Sequence, residues 1–170
     1  MSNEQAEFAD FFRASWEPCL RAVLAVVGSP QLAEDQVAEA FAKAWASWRK
    51  VRRHPAPRAW VVRTALNTGA SWWRRRSREL PLADHDPTVP GDLGNGLDAS
   101  LLTALRRLPP RQREVIALRI FLDLDNDTIA SQLGIEAGTV RMHLSRGVMA
   151  LRRELTPANN YGRLINERQR

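Results

Sequence analysis

Apolar residues recur every three or four positions along most of the chain, and apolar–polar alternation is nowhere sustained. The pattern therefore predicts helices and no sheet. A first helix is expected over residues 4–27, stopped by Gly28-Ser29-Pro30. A second is expected over residues 32–49. At about 100° per residue, Ala33, Val37, Ala40, Phe41, Ala44, Trp45 and Trp48 fall on one arc and make a core face. Asp35, Gln36, Glu39 and Lys43 fall on the other side. The two prolines of RRHPAPR, residues 52–58, then break the pattern, and a third helix is expected over residues 59–76.

That third helix ends in SWWRRRSRE, which sets two tryptophans beside four arginines. Angle sorts them. Val62, Ala65, Leu66, Gly69, Trp72 and Trp73 lie within an arc of about 120°. Arg63, Asn67, Ser71, Arg74 and Arg78 form a polar stripe opposite. A solvated basic face on a core helix would look the same, but Arg52, Arg53 and Arg58 in the preceding loop add to the charge and favour a polyanion.

Residues 81–96, PLADHDPTVPGDLGNG, carry three prolines, three glycines and three aspartates and read as a linker. GDLGNG has no strand before it and is read as linker glycine, not a phosphate loop. Beyond it, helices are expected over residues 99–108, 110–121, 126–133 and 139–155. The last two, joined by a short turn with Gly134, make a helix-turn-helix pattern. Val140, Leu144, Val148 and Leu151 are its core positions, and Thr139, Arg141, Met142, His143, Ser145 and Arg146 are the candidates to enter a DNA groove. The fold class expected is thus all-α. Two small helical domains, residues 1–79 and 98–155, are joined by a flexible acidic linker, residues 80–97, and followed by a tail, residues 156–170.

Charge sharpens the picture. The net charge is +6, and it is distributed in blocks. Residues 1–50 carry five basic and seven acidic groups, residues 51–80 eight and one, residues 81–100 none and four, and residues 101–170 twelve and seven. Such blocks suggest a different partner for each segment. Cys19 is the only cysteine, which excludes a disulfide within the chain and a thiolate zinc site and fits a reducing cytoplasm. No apolar run reaches membrane-spanning length, and the N-terminus lacks a signal-peptide pattern, so no membrane insertion is expected. His54, His85 and His143 stand in three unrelated contexts without nucleophile or metal-ligand spacing. No metal, cofactor or active site is therefore expected.

LPPRQREVIALR, residues 108–119, followed by IASQLGIEAGTVR, residues 129–141, resembles the promoter-reading domain of bacterial RNA polymerase sigma factors of the extracytoplasmic-function group. AEDQVAEAFAKAW, residues 33–45, resembles the segment of that family that docks on the polymerase clamp. WVVRTALNTGASWWRRR, residues 60–76, resembles the segment that melts and reads the downstream promoter element. The chain departs from the usual pattern at Gln36, Ala38, Ser71, Met142 and His143, which bears on promoter sequence and not on class.

The resemblance implies a protein without an active site that brings core polymerase to promoters and helps open the duplex. Its implied partners are core RNA polymerase (the clamp and flap of the β′ and β subunits), promoter DNA and an anti-sigma factor. Asp35, Gln36, Glu39 and Lys43 are the expected docking residues. Arg53, His54, Arg58, Arg63, Asn67, Ser71, Arg74 and Arg75 are expected at the −10 element. Thr139, Arg141, Met142, His143, Ser145 and Arg146 are expected at the −35 element. Two other readings fit parts of the chain: a helix-turn-helix regulator with no sigma role, and an adaptor that binds polymerase or an anti-sigma protein without DNA.

Overall fold

A computed structural model describes residues 2–79, 97 and 99–156, with the helical backbone alone for residues 70–79. The remainder of the expected linker and the tail beyond Thr156 lie outside the described residues. So do the side chains of Ser71, Trp72, Trp73, Arg74, Arg75 and Arg78.

Each helix begins or ends where local chemistry dictates. Helix α1 (Asn3–Val27) opens with a capping box, in which the Ser2 hydroxyl accepts from the Gln5 backbone and the Gln5 side chain accepts from the Ser2 backbone. It ends at Gly28, in the left-handed region at φ 74°. Helix α2 (Pro30–Ala46) starts on Ser29, whose hydroxyl accepts from the Leu32 N–H, with Pro30 at the first helical position. The expected second helix is in fact two. The chain breaks at Ser47, and a single turn, α3 (Trp48–Val51), follows. Helix α4 (Pro57–Glu79) completes the first half.

The second half comprises α5 (Ala99–Arg106), α6 (Pro110–Leu122), α7 (Asn126–Leu133) and α8 (Ala137–Leu155). Helix α8 starts two residues before its expected position. No strand occurs among the described residues, as the periodicity predicts.

Two positions expected from angle alone are corrected. Gln36 is not on the polar face of α2: it is buried, 5% exposed, and points at Gly69 of α4. Trp45, expected in the core, is 43% exposed. Trp48, also expected in the core, is buried just past the bend at Ser47. There it meets Phe8 and Phe11 of α1 at ring-centroid distances of 5.2 Å each, while Trp45 covers the outer side of Phe8 at 5.0 Å. Phe12 and Trp16 extend this aromatic layer onto Phe41.

The two halves share a core. The second half of α1 is enclosed by α2 and α4 from the first half and by α5 and α6 from the second. Leu20, Val23 and Leu24 are fully or almost fully buried there. Arg113 of α6 bonds across the junction. Its guanidinium donates to the carbonyls of Leu105, Arg106 and Leu108 and also to that of Val26 on α1, at 3.0 Å. Burial, with Arg106 nearby, draws its pKa below the ordinary value. Cys19 lies in the same core. Burial pushes its thiol up to about 12 against the opposing effect of Arg58, which keeps it protonated and unreactive.

The α2–α4 contact yields a stability prediction. A Cβ added at Gly69 would stand 2.1 Å from Nε2 of the buried Gln36, so the amide would have to leave its seat. Gly69→Ala should cost roughly 1–3 kcal/mol, as overpacking does. Gly69→Ala combined with Gln36→Ala should recover most of that loss in urea denaturation. A single variant as stable as the parent would contradict this packing.

Candidate nucleic-acid interface

Three surfaces carry the expected site residues. The first is the outer face of α2. Asp35 and Glu39 are exposed there, and Ala38, Ala42 and Ala46 lie beside them at every fourth position. The alanines leave the backbone open to close approach by another helix, with carboxylates at the side. Lys43 sits at the edge, paired with Glu39 at 2.9 Å and donating to the Thr68 hydroxyl of α4. Half-exposed Trp45 and Phe12 add aromatic surface next to this face. The alanine spacing is a sequence signal of this face that the charges alone do not give.

The second surface is the α3–α4 loop and the face of α4. Pro55 and Pro57 have no N–H, so Ala56 is the one donor between them, and it bonds to Nδ1 of His54 at 3.0 Å. Because Nδ1 accepts, the neutral ring carries its proton on Nε2. Arg53 is exposed beside it. Arg58 is employed otherwise: its Nε donates to the Ser15 hydroxyl at 3.1 Å and its Nη2 to the Ala14 carbonyl at 2.9 Å, tying the loop to α1. On α4, Asn67 is exposed, and Arg63 donates to the carbonyl of Gln132 in α7. Arg63 and Asn67 both line a cavity of about 240 Å³, with Arg111, Glu114 and Leu118 of α6 across from them.

The third surface is α8. The Asp125 carboxylate caps α7 by accepting from the Thr128 N–H at 2.7 Å, which holds it below the usual carboxylate range. Gly134 then turns the chain in the left-handed region at φ 65°. Helix α8 is seated by buried Val140, Gly147 and Leu151. A Cβ at Gly147 would come within 2.3 Å of Ile116 Cδ1, so α6 and α8 lie in close contact there. The ion pair of Arg107 with Glu154 fastens the far end.

On the outward side Arg141, Met142, Ser145, Arg146, Met149, Arg152 and Arg153 are exposed and fall within an arc of about 140°. Arg141 and Arg146 stand at the two edges of that arc and the methionines near its middle. Thr139 and His143 are half-buried at its border, and His143 Nδ1 faces inward without a hydrogen-bond partner. Met149, 61% exposed, was not among the expected residues, although helical spacing from Met142 places it on the same face.

An exposed arginine-edged helix following a tight turn can enter a major groove, and a basic loop and helix can follow a phosphate backbone. Family comparison agrees with the fold. Sigma-70 region 2 matches residues 15–79, and sigma-70 region 4 matches residues 98–151. The RNA polymerase sigma-E factor of Streptomyces antibioticus is 30% identical, the match covering 98% of this chain and 94% of that protein. The sigma-E factor of Streptomyces coelicolor is 29% identical, with 98% and 96% covered. Sigma factor RpoE from Bartonella quintana, solved in complex with the anti-sigma factor NepR, superposes with a TM-score of 0.69 at 25% identity, covering 88% of this chain and 96% of that one. The chain belongs to the sigma-70 family, in its extracytoplasmic-function group, and acts as a sigma factor in transcription initiation.

Arg141, one turn into α8, and Arg146, at the opposite edge of the arc, are both exposed, and the expectation that one reads a base edge and the other holds a phosphate can be tested. Arg141→Ala should flatten preference at one upstream base pair, at a cost of roughly 1–3 kcal/mol in discrimination. Arg146→Ala should lower activity on all sequences alike. Transcription of a library randomised in the upstream element, by each variant holoenzyme, distinguishes them; the reverse pattern would exchange the two roles.

Proposed function

We propose that this sigma factor divides its work among the three surfaces. The outer face of α2, with Asp35, Glu39 and the alanine row, docks on the clamp of core polymerase. Arg53, His54 and α4 hold and open the −10 element. Helix α8 reads the −35 element, with Arg141, Met142, Ser145 and Arg146 toward the groove and Thr139 and His143 at its border. The first half, residues 1–79, and the second, residues 98–155, then act as separate reading domains. The factor has no active site, works in the cytoplasm, also meets the polymerase flap, and is held in reserve by an anti-sigma factor.

The observation that carries this reading is the outward arc of α8 with arginine at both edges, on a chain whose other half bears a second, separate basic surface. A regulator using the helix-turn-helix alone has no need of the second surface or of the carboxylate face on α2. Support for the anti-sigma partner is the complex in which the structural relative was solved. Among the described residues no helix is long and apolar enough to cross a membrane, in keeping with a cytoplasmic role.

Two measurements test the assignment. Asp35→Arg with Glu39→Arg should weaken core polymerase binding about tenfold, about 1.4 kcal/mol, with helical content unchanged. Unaltered affinity in a titration would remove α2 from the interface. Arg74→Ala with Arg75→Ala should slow promoter opening, and the deficit relative to the parent should shrink at higher salt, because losing phosphate contacts flattens the salt dependence. A pre-melted promoter should restore much of the activity. Equal loss on duplex and pre-melted templates would point to a folding defect instead.

A further inference from the structure

The outward side of α8 is sorted by angle. At about 100° per residue, Arg141 and Arg152 lie along one border of the arc and Arg146 and Arg153 along the other. Between them runs a stripe of Gly138, Met142, Ser145 and Met149, all exposed and none charged. Met142 is 39% exposed and Met149 61%. Single exposed methionines are ordinary on a protein surface. These two stand in line at the centre of a basic face.

An α-helix about 10–12 Å across fills a major groove about 12 Å wide. Side chains at the borders of an inserted arc then meet the groove walls, where the phosphates stand, and those at its centre meet the floor. The floor is a row of hydrogen-bond donors and acceptors with one apolar feature, the C5 methyl group of thymine. Methionine has no donor and only a weak acceptor. Over cytosine it would displace water from the N4 donor and put nothing in its place. Over a thymine methyl it takes apolar surface out of water on both sides. Its unbranched, flexible thioether can reach that methyl from more than one direction.

Position along the helix separates the two methionines. Met142 is in the second turn of α8, the part of a recognition helix that comes closest to the bases, and Met149 lies about 10.5 Å further along the axis. Ahead of Met142 the stripe is bare at Gly138, where Nη2 of Arg141 stands 3.8 Å from the place a Cβ would take. Met142 therefore leads the apolar stripe into the groove.

We infer that Met142 selects thymine at one position of the upstream element by contact with its C5 methyl group. This rests on the proposed seating of α8 in the −35 element. The contact chooses an A·T pair in one orientation without a hydrogen bond from the protein, and it adds to whatever the arginines read.

The test uses holoenzyme on the best promoter from the library randomised in the upstream element. Each thymine of that element, on either strand, is replaced in turn by deoxyuridine, which lacks only the methyl. At one thymine the parent should lose about fourfold in promoter affinity, or about 0.8 kcal/mol at about 1.4 kcal/mol per tenfold. The ratio should be the same at low and high salt, because no phosphate contact is lost. Met142→Ala, an exposed change to the best helix former, should bind both templates equally. Met142→Leu, apolar and similar in volume, should keep most of the preference for thymine. Met149→Ala should keep it in full.

A parent indifferent to every methyl would overturn the inference. So would methyl dependence that survives Met142→Ala, or that is lost in Met149→Ala. Failure of the underlying reading has a different signature: Arg141→Ala and Arg146→Ala would then also leave the response to the upstream element unchanged. If either arginine variant alters that response and the methyl has no effect, the role of Met142 alone is refuted.

Discussion

The last two turns of α1, LRAVLAVV over residues 20–27, constrain the rest of the molecule. Apart from Arg21 the segment is apolar on every side, and a helix apolar all round must be enclosed. Helices α2 and α4 take one flank, and α5 and α6 take another. The polar ends of that enclosure are equally fixed. The Val26 carbonyl is answered by Arg113, and the Ala14 carbonyl and Ser15 hydroxyl by Arg58. Because α4 and α6 both pack on this helix, the two halves share one core.

Arginine plays two roles here, and the fold separates them by hydrogen-bond partner. Arg58 and Arg113 satisfy backbone carbonyls, and Arg107 is engaged by Glu154. Arg53, Arg141 and Arg146 are exposed. A net charge of +6 therefore overstates the surface available to phosphate in some places and says nothing of where it lies. Affinity for DNA comes largely from such phosphate contacts, and sequence choice from the few side chains that reach base edges. The exposed arginines available for either contact stand in both halves, Arg53 in the loop before α4 and Arg141 and Arg146 on the α8 arc.

Much of this was legible in the sequence. Helix-stop signals at Gly28-Ser29-Pro30 and at Gly134, and the prolines before α4 and α6, marked the element ends to within a few residues. The helices of the helix-turn-helix followed from periodicity, and of its expected core positions Val140 and Leu151 are buried while Leu144 and Val148 are half-buried. The errors arose where angle is insufficient. A polar arc does not reveal that Gly69 on another helix leaves a seat for Gln36, and an uninterrupted pattern hid the bend at Ser47, before which Trp45 is exposed while Trp48 beyond it is buried as expected. The anchoring of Arg58 and Arg63 depends on partners 43 and 69 residues away, which no local pattern encodes.

A sigma factor is defined by giving core polymerase a choice of start site. Run-off transcription of fragmented genomic DNA by core polymerase, with and without this protein, measures that directly. Discrete transcripts that appear only with the protein, from sites sharing an upstream and a downstream element, are the result predicted. Tight binding of the protein alone to a short operator, with no transcript gained from core polymerase, would contradict it.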